Sequence, residues 1–408
     1  MRVVINAVSA KMGGAVTYLT NVLRLLPPAE SGHEFYVFLP PETAGKQKNL
    51  PANIKLLPTR IGHASWWKRL WWEQVTIRRE LKNLHGDFLF STANFGMYRC
   101  PVRQILLVRI PLYFSKIYLD RFLPLHSWKF RASFKLRRWL CCQSARWADV
   151  VMTPTQTMMK ELCAYVDMPP AKKLVNHYGV AAPSGIDVPR VPRRENPNEC
   201  RLLYVSLYAE HKNLSTLLKS LPILNRDDGS RFLLVTTVNP QMKDISWMVT
   251  CRDDVILTQE SNISPWVRIV GPLPREETSQ LYLGSDIFVF PAITESFGHP
   301  MVEAMVHGLP IVAADTPVNR EICGDAAIYF EPFDPEGLAV QVERLALDHS
   351  LRKSLTAKAC EQVSRFLWTT HVERLVGALK GTLLEPQVIN DGKAVSNSDK
   401  LEQRRALT

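Results

Sequence analysis

The sequence predicts an α/β fold of two doubly wound domains that face each other across a cleft. Short apolar runs alternate with longer helix-like segments, which is the pattern of parallel strands joined by helices. The alternation occupies two stretches of similar size, 1–182 and 201–375. A proline-rich stretch without periodicity, 181–200, separates them and is expected to be a linker.

The first domain is expected to begin with a strand at the amino terminus and to continue in strand–helix units. Its predicted strands are 2–7, 34–39, 53–58, 87–92 and 104–110. Its predicted helices are 15–26, 65–84 and 127–147, and 148–162 supplies another strand and the following helix. Strands of this apolar kind are expected to be covered on both faces of a parallel sheet.

The second domain repeats the alternation. Its predicted strands are 201–207, 231–237, 266–271, 286–291, 310–315 and 326–331. Its predicted helices are 213–222, 275–284, 300–307, 335–348 and 350–365. The polar residues 386–408 are expected to be a disordered tail.

The composition excludes several classes of protein. Of the 408 residues, 46% are hydrophobic and 22% are charged, as in soluble globular proteins. The eight cysteines form no C-x-x-C pair and have no metal-spaced histidines, so neither a disulfide framework nor a zinc site is indicated. This cysteine usage, with an amino terminus that reads as a strand and not as a signal peptide, predicts a cytoplasmic protein.

The net charge of +11 predicts an anionic partner. Basic residues are mixed with aromatic ones in 116–138 and again in 65–82, which is typical of a surface on anionic lipid. Ordinary helices with one core face and one solvated face would give the same pattern, so an anionic membrane surface, on the inner face of a membrane, stays one of two interpretations. Nucleic acid is not expected, because no recognition motif accompanies the charge.

Two turns at predicted strand ends carry residues suited to a phosphate. Ligands of open α/β sheets bind at the carboxyl ends of strands. Gly13 and Gly14 precede a helix, where backbone N–H groups and the helix dipole favour an anion, although a plain strand-to-helix turn explains them equally. Lys212 follows the first strand of the second domain and can neutralise a diphosphate, or it is a solvated lysine beside the N-cap residue Asn213.

The stretch "TESFGHPMVEAMVHGLPIVAADTP", residues 294–317, places two glutamates around a turn and a short helix. Glu295 falls in the loop above a strand end, Pro300 is expected to begin the helix, and Glu303 is expected in its first turn. Carboxylates accept paired hydrogen bonds from vicinal hydroxyls, and the N–H groups between them suit phosphate. A favourable charge on the helix dipole is the alternative role for Glu303.

These residues are similar to a known signature. The block 294–315 resembles the E-x7-E signature of the family-4 retaining glycosyltransferases, and 319–339 looks like its usual continuation. The Gly13–Gly14 turn and the segments 148–157 and 204–214 follow the order typical of that family. Within the family the chain looks most like mannosyl- and rhamnosyltransferases of cell-surface polysaccharide biosynthesis.

The resemblance implies a GT-B fold of two Rossmann-like domains, with the acceptor side in 1–182 and the nucleotide sugar bound by 201–375. The donor-binding residues it implies are Gly13, Gly14, Lys212, Leu273, Glu295, Phe297, Gly298, His299 and Glu303. Lys212 and Gly14 would meet the diphosphate, Glu295 the sugar hydroxyls and Glu303 the ribose diol. Residues 297–299 would offer their backbone, and the loop near Leu273 would border the base.

Glu295, Lys212 and Arg109 are the catalytic residues that the resemblance implies, with no metal and no cofactor besides the donor substrate. Two positions depart from the family pattern. Ser206 and Leu207 stand where many members carry an arginine, and Arg109 stands near the position of a usual histidine. The first departure concerns the residues that bind the phosphates, and the second concerns the acceptor-side domain.

The function expected from the resemblance is transfer of a hexosyl group, with retention of configuration, from a nucleotide sugar to a saccharide or lipid-linked saccharide. Two alternatives remain open on the sequence. A phosphorylase or epimerase of the same fold would need a different anion pocket. A catalytically inactive GT-B-like scaffold that binds a membrane or partner would lack donor binding altogether.

Overall fold

A computed structural model describes residues 1–180, 199–227, 231–242, 245 and 247–381. Two parallel sheets with helices on their faces account for these residues, so the prediction of two doubly wound α/β domains is confirmed. The predicted tail 386–408 lies outside the described residues, as does the predicted linker apart from Glu199 and Cys200, which begin a strand.

The first sheet has seven strands in the order β3-β2-β1-β4-β5-β6-β7. The elements of this domain are β1 (Arg2–Asn6), α1 (Gly14–Leu25), β2 (Glu34–Leu39), α2 (Pro41–Ala44), β3 (Ile54–Pro58), α3 (Trp66–Asn83), β4 (Phe88–Ser91), β5 (Arg103–Leu107), α4 (Lys116–Arg121), α5 (Trp128–Trp147), β6 (Val150–Thr153), α6 (Gln156–Cys163) and β7 (Lys173–Val175).

The second sheet has six strands in the order β10-β9-β8-β11-β12-β13. The elements of this domain are β8 (Glu199–Tyr204), α7 (Leu214–Leu224), β9 (Arg231–Thr236), α8 (Cys251–Gln259), β10 (Val267–Ile269), α9 (Arg275–Leu283), β11 (Ile287–Phe290), α10 (His299–Val306), β12 (Ile311–Ala314), α11 (Pro317–Cys323), β13 (Ala327–Phe330), α12 (Pro335–Leu347), α13 (His349–Val363) and α14 (Trp368–Lys380).

Each sheet reverses its direction of growth at one point. The chain builds outward from β1 to β3 and then returns to place β4 on the other side of β1; β8 and β11 repeat this in the second domain. The loops that leave such a pair of strands diverge and open a crevice at the carboxyl edge. In the second domain those loops carry Lys212 and Glu295.

Burial explains why the central strands are so apolar. Every residue of β6, β11 and β12 is buried, because helices cover both faces of the parallel sheets. Among the described helices, none is both long enough and apolar enough to cross a bilayer.

The last helix joins the two domains. α14 follows the second domain in sequence but packs against α1 and β5 of the first. The hydroxyl of Tyr18 lies 3.1 Å from Nε2 of His371, and the amide of Asn176 donates to the carbonyl of His371 at 2.9 Å. Burial lowers the pKa of His371 to about 4, so the ring is neutral at pH 7 and serves as a structural hydrogen-bonding group.

Candidate active site

Lys212 and Glu295 meet at the switch point of the second sheet. The Lys212 ammonium donates to Oε1 of Glu295, and the two side chains are only 13% and 12% exposed. Lys212 ends a short 3-10 turn, Glu210–Lys212, after β8, and Glu295 lies in the loop after β11. The ion pair joins a cation suited to diphosphate with a carboxylate suited to hydroxyls. A partner removed from such a largely buried pair leaves the other charge uncompensated.

Hydrogen bonds hold the lysine turn against β8 and against the loop that follows β11. The hydroxyl of Tyr204 donates to the Lys212 carbonyl at 2.8 Å, and Ile293 N–H donates to the His211 carbonyl at 3.0 Å. Asn213 adopts a left-handed conformation at φ 52° and donates its side-chain amide to the Pro291 carbonyl at 3.2 Å. Asn213 is therefore the N-cap residue of α7, but its side chain serves the loop and not the helix N–H groups.

Glu303 lies apart from this pair, on α10. That helix begins at His299, so Glu303 falls just beyond its first turn, where the sequence had placed it within the first turn. Its carboxylate accepts a hydrogen bond from the Tyr282 hydroxyl at 3.1 Å. Burial raises the pKa of the Glu303 carboxyl, while this bond and the charge of Arg275 act against the rise. One carboxylate oxygen is anchored and the group stays close to the helix backbone.

The turn before α10 requires glycine. Gly298 has φ 81°, and a Cβ built there would lie 2.4 Å from Cε of Met301. Phe297 is 1% exposed and packs in the core, so its side chain is not available to a ligand, and the backbone contact expected there stays a prediction. Pro300 has no N–H, and Met301 N–H donates to the Gly298 carbonyl at 3.0 Å, so the backbone donors that this turn can offer a ligand come from residues 297–299.

His299 brings an unpartnered polar atom to the same place. Its ring stacks on Tyr178 of the first domain, with centroids 5.3 Å apart, and its Nε2 is buried without a hydrogen-bond partner. Burial lowers the pKa of His299 to about 4, so the ring is neutral at pH 7. A buried nitrogen left without a partner is costly unless a ligand supplies one. His299 is thus suited to contact a ligand with its ring as well as its backbone.

The glycine turn of the first domain lies across the cleft from these loops. Gly13 has φ 57°, and a Cβ built there would lie 3.5 Å from Cδ1 of Leu207. A Cβ built on Gly14 would lie 4.0 Å from Cδ2 of His299. The two glycines therefore bring the amino terminus of α1 close to both switch-point loops of the second domain.

Arg109 follows β5 on the same wall of the cleft. Its backbone N–H donates to Oδ1 of Asn94 at 2.7 Å, which fixes the direction of the chain there. Burial raises the pKa of Tyr178 to about 12, and the positive charge of the Arg109 side chain opposes that rise. Since Tyr178 also stacks on His299, Arg109 belongs to the neighbourhood of the Gly14–His299 contact.

No contact among the described residues brings Leu273 to the Lys212–Glu295 pair. It follows β10, its side chain is half-buried, and its carbonyl accepts a 3.5 Å hydrogen bond from Thr278. Its place beside a nucleotide base stays a prediction.

A buried cluster that sequence reasoning missed lies behind the lysine turn. Glu210 is 5% exposed and accepts hydrogen bonds from the Tyr118 hydroxyl at 2.5 Å, from His126 Nε2 at 2.8 Å and from Val249 N–H at 3.1 Å. Tyr118 and His126 belong to the first domain, so this carboxylate ties that domain to the turn that carries Lys212. The only sequence signal was the position of Glu210 two residues before Lys212.

Glu321 makes a second contact between the domains. Its carboxylate accepts hydrogen bonds from the N–H groups of Gln156 and Thr157, at 2.6 and 2.7 Å, at the start of α6. Burial opposes ionisation, but these bonds and His177 keep the pKa of Glu321 below its usual value. Nearby, the Thr155 hydroxyl donates to the Ser296 carbonyl at 3.0 Å and holds the Glu295 loop against the first domain.

Within the part of the chain that the structure describes, no group of three or more His, Cys, Asp or Glu side chains is arranged to hold a metal ion. The use of a metal by the reaction is a separate matter and stays a prediction.

Two family models match the chain on either side of the proline-rich stretch. Glycosyltransferase Family 4 matches residues 12–182, and Glycosyl transferases group 1 matches residues 189–362. The chain belongs to these glycosyltransferase families. The family predicted from residues 294–315 is thereby confirmed.

A curated relative carries a similar name. O-antigen chain mannosyltransferase B of Escherichia coli is 28% identical over 179 residues, which are 44% of this chain and 45% of that protein. The match therefore spans less than half of the length of that relative.

Solved structures share the fold over nearly the whole chain. The glycosyltransferase WaaG, described as involved in lipopolysaccharide biosynthesis, has a TM-score of 0.70 at 16% identity, covering 93% of this chain and 100% of that one. HepE from Anabaena in complex with UDP-glucose has a TM-score of 0.67 at 14% identity, covering 93% and 99%. At these identities the likeness concerns the fold, and the predicted GT-B fold is confirmed.

Proposed function

We propose that this protein is a retaining glycosyltransferase of surface glycan assembly, which moves a hexosyl group from a nucleotide sugar to a saccharide or lipid-linked saccharide. The observation that carries the proposal is the Lys212–Glu295 ion pair at a sheet switch point, beside the α10 amino terminus and opposite Gly14. Family membership and the crystal complex of HepE with UDP-glucose support a nucleotide-sugar donor.

The diphosphate lies between the domains in this proposal. Lys212, the N–H groups of the turn at residues 297–299 and the backbone at Gly13–Gly14 would surround it with positive charge and hydrogen-bond donors. Because Gly13 and Gly14 have no side chains, the backbone of the first domain can approach the diphosphate closely. Since these groups are already in place, they stabilise the charge that grows on the leaving diphosphate.

The two glutamates take different parts of the donor. Glu295, next to Lys212 and therefore next to the diphosphate, accepts hydrogen bonds from hydroxyls of the transferred sugar. Glu303, farther along α10 and anchored by Tyr282, accepts from the ribose diol. Residues 297–299 supply backbone contacts, and Leu273 borders the base.

The reaction breaks the bond between the anomeric carbon and the diphosphate oxygen, and the electron pair leaves with the diphosphate. The sugar passes through an oxocarbenium-like state, and the acceptor hydroxyl adds on the face that the diphosphate leaves. Its proton passes to the departing phosphate oxygen, so atoms and charges balance. Lys212 and the helix dipole carry the leaving charge without a metal, and Arg109 orients the donor or acceptor from the first domain.

A panel of UDP-, GDP- and dTDP-sugars tests the proposal. One nucleotide class should raise the melting temperature, and that donor should be consumed with transfer to an acceptor glycan. The anomeric configuration of the product, read by NMR, should match that of the donor, and the rate should survive EDTA. An inactive scaffold would show no shift with any nucleotide, and inversion would contradict the retaining mechanism.

A further inference from the structure

Two neighbouring helices of the first domain expose an unusual number of tryptophan side chains. On α3, Trp67 and Trp71 are 56% and 63% exposed; on α5, Trp128 and Trp139 are 73% and 55% exposed. Large aromatic side chains normally bury most of their surface in folded proteins. Four that remain in water on one part of a molecule indicate a partner surface.

The two helices form one continuous surface. A groove of about 390 Å³ runs between them, lined by Leu70 and Gln74 of α3 and by Leu140 and Trp147 of α5. Trp71 adjoins Leu70 in the chain and Trp139 adjoins Leu140. Trp67 and Trp71 stand three residues before Leu70 and Gln74, a spacing that makes them neighbours on the surface of α3, so both rings lie beside the groove. We call the exposed side of α3 and α5 the tryptophan face.

Packing in the core of the first domain does not account for the exposed tryptophans of this face. α3 already buries Ile77 and Leu81 against its own domain, and α5 already buries Phe134, Cys141 and Ala145. The sequence alone could not separate a membrane surface from ordinary amphipathic helices. The structure separates them because each helix has a filled core side and, in addition, exposed indoles.

The charges on the tryptophan face have one sign. Its exposed charged side chains are Lys68, Arg79, Lys82, Lys129, Arg131 and Lys135. α5 contains no acidic residue at all. α3 contains two acids, Glu73 and Glu80. Glu73 is only 4% exposed and lies 3.7 Å from Arg69. Glu80 is half-buried and stands nine residues after Trp71, which puts it on the opposite side of the helix.

We propose that the tryptophan face docks this protein on the anionic leaflet of a lipid bilayer. Indoles partition to the depth of lipid headgroups, and lysine and arginine side chains beside them attract the lipid phosphates. Another protein would need a matching acidic and apolar surface, whereas anionic lipid supplies negative charge and an apolar layer together. The proposal goes beyond glycosyl transfer and does not depend on it.

The docking face is also connected to the candidate active site. α5 follows His126 directly, and His126 and Tyr118 hold Glu210, which begins the turn that ends in Lys212. Docking would thus hold the cleft at a fixed place relative to the membrane, within reach of an acceptor whose lipid anchor lies in the bilayer.

Co-sedimentation of the full chain with vesicles tests the face directly. Vesicles of phosphatidylglycerol and phosphatidylcholine should bind the protein, and vesicles of phosphatidylcholine alone should bind it at least tenfold less. High salt should weaken binding to the anionic vesicles. No preference for the anionic vesicles would overturn the proposal.

Two variants locate the binding. Trp71→Ala with Trp139→Ala, and separately Arg131→Glu with Lys135→Glu, should each weaken vesicle binding at least tenfold with an unchanged melting temperature. Val340→Ala with Leu347→Ala removes exposed apolar side chains from α12 of the other domain and should bind as the parent does. Equal vesicle binding by all variants would overturn the assignment. It would also be overturned if the variants lost a dimer in sedimentation velocity but kept vesicle binding, because the face would then be an interface between two copies of the chain.

The nucleotide-dependent rise in melting temperature, measured on the same variants, keeps the two proposals apart. Vesicle binding without a nucleotide-dependent rise in melting temperature would support membrane docking and contradict the proposed glycosyltransferase function. A nucleotide-dependent rise in melting temperature without vesicle binding would support donor binding and contradict membrane docking.

Discussion

The two walls of the cleft present their polar groups in different states. On the second domain, Lys212 is paired with Glu295, and Glu303 accepts from Tyr282. On the first domain, Arg109 has no carboxylate partner among the described residues, and the Gly13–Gly14 turn offers only backbone. The polar side chains of the second domain are therefore held in place before a ligand binds. The first domain adds its backbone turn and Arg109 to the site by lying close to them.

This difference assigns different tasks to the walls. A pre-organised set of charges stabilises a transition state without further rearrangement, which suits the chemistry at the donor. A wall of backbone and of an arginine without a carboxylate partner in the described part of the chain suits recognition of a ligand that varies. Contacts between the domains, at Glu210 and Glu321, then decide how well the two walls meet.

The largest effect is expected from Glu295→Gln. The substitution keeps the shape of the side chain but removes its charge and weakens its bonds to sugar hydroxyls, so transfer should fall at least about 100-fold, or roughly 3 kcal/mol. Initial rates with an identified donor measure this, with the melting temperature as a check of folding. Glu277→Gln, on the exposed side of α9, is the matched control. Activity within a few-fold of the parent would remove Glu295 from the transfer site.

A smaller effect, confined to donor binding, is expected from Glu303→Gln. The loss of a charged hydrogen-bond acceptor should raise the KM for the donor by roughly tenfold and leave kcat nearly unchanged. Tyr282→Phe removes only the hydroxyl that anchors the carboxylate and should have a weaker effect of the same kind. A fall in kcat with an unchanged KM would place Glu303 in the chemistry instead.

The pH dependence of donor binding gives a separate check on Glu303. Because burial raises the pKa of its carboxyl, the acceptor oxygens are lost to protonation as the pH falls, starting at a higher pH than for an ordinary glutamate. The parent KM should therefore rise toward acid pH earlier than the pKa of a free glutamate would predict. In Glu303→Gln this part of the pH profile should be absent.

The contact between the walls is tested by Glu210→Gln and Tyr118→Phe. Each variant should lower kcat/KM by roughly fivefold, because the turn that carries Lys212 loses its tie to the first domain. The double variant should fall short of the summed effects by about 1 kcal/mol, so that it loses little more than either single variant, as expected for groups in direct contact. Ser220→Ala, buried on α7 and bonded only to the Leu217 carbonyl, controls for loss of a buried hydrogen bond elsewhere. Additive effects would mean that the two residues act independently.

The sequence predicted the strands of both sheets except β7 (Lys173–Val175), which is short and only half-buried, because the other strands show a local apolar pattern. It also predicted the loops at the strand ends. The family resemblance implied that Lys212 and Glu295 share one donor site, and their separate roles there stay a prediction. Their direct ion pair depends on the positions of β8 and β11 in the sheet, across 83 residues, which no local pattern reveals.

Contacts between the domains were beyond prediction for a related reason. Glu210 looks like one more acid in a loop, and only the approach of Tyr118 and His126 from 92 and 84 residues away gives it a role. The packing of α14 against α1 and β5 likewise depends on residues that are distant in the chain, so no local pattern predicts it. The tryptophans of α3 and α5 were visible in the sequence, but their exposure was not.

Calorimetric titration of the matching nucleoside diphosphate into the parent, Glu295→Gln and Glu303→Gln tests the separation of the two carboxylates most directly. Glu303→Gln should bind the nucleotide roughly tenfold more weakly, because its ribose contact is lost. Glu295→Gln should bind it as tightly as the parent or more tightly, because the sugar is absent and Lys212 is released to the diphosphate. Equal weakening in both variants, or weakening in Glu295→Gln alone, would contradict the account.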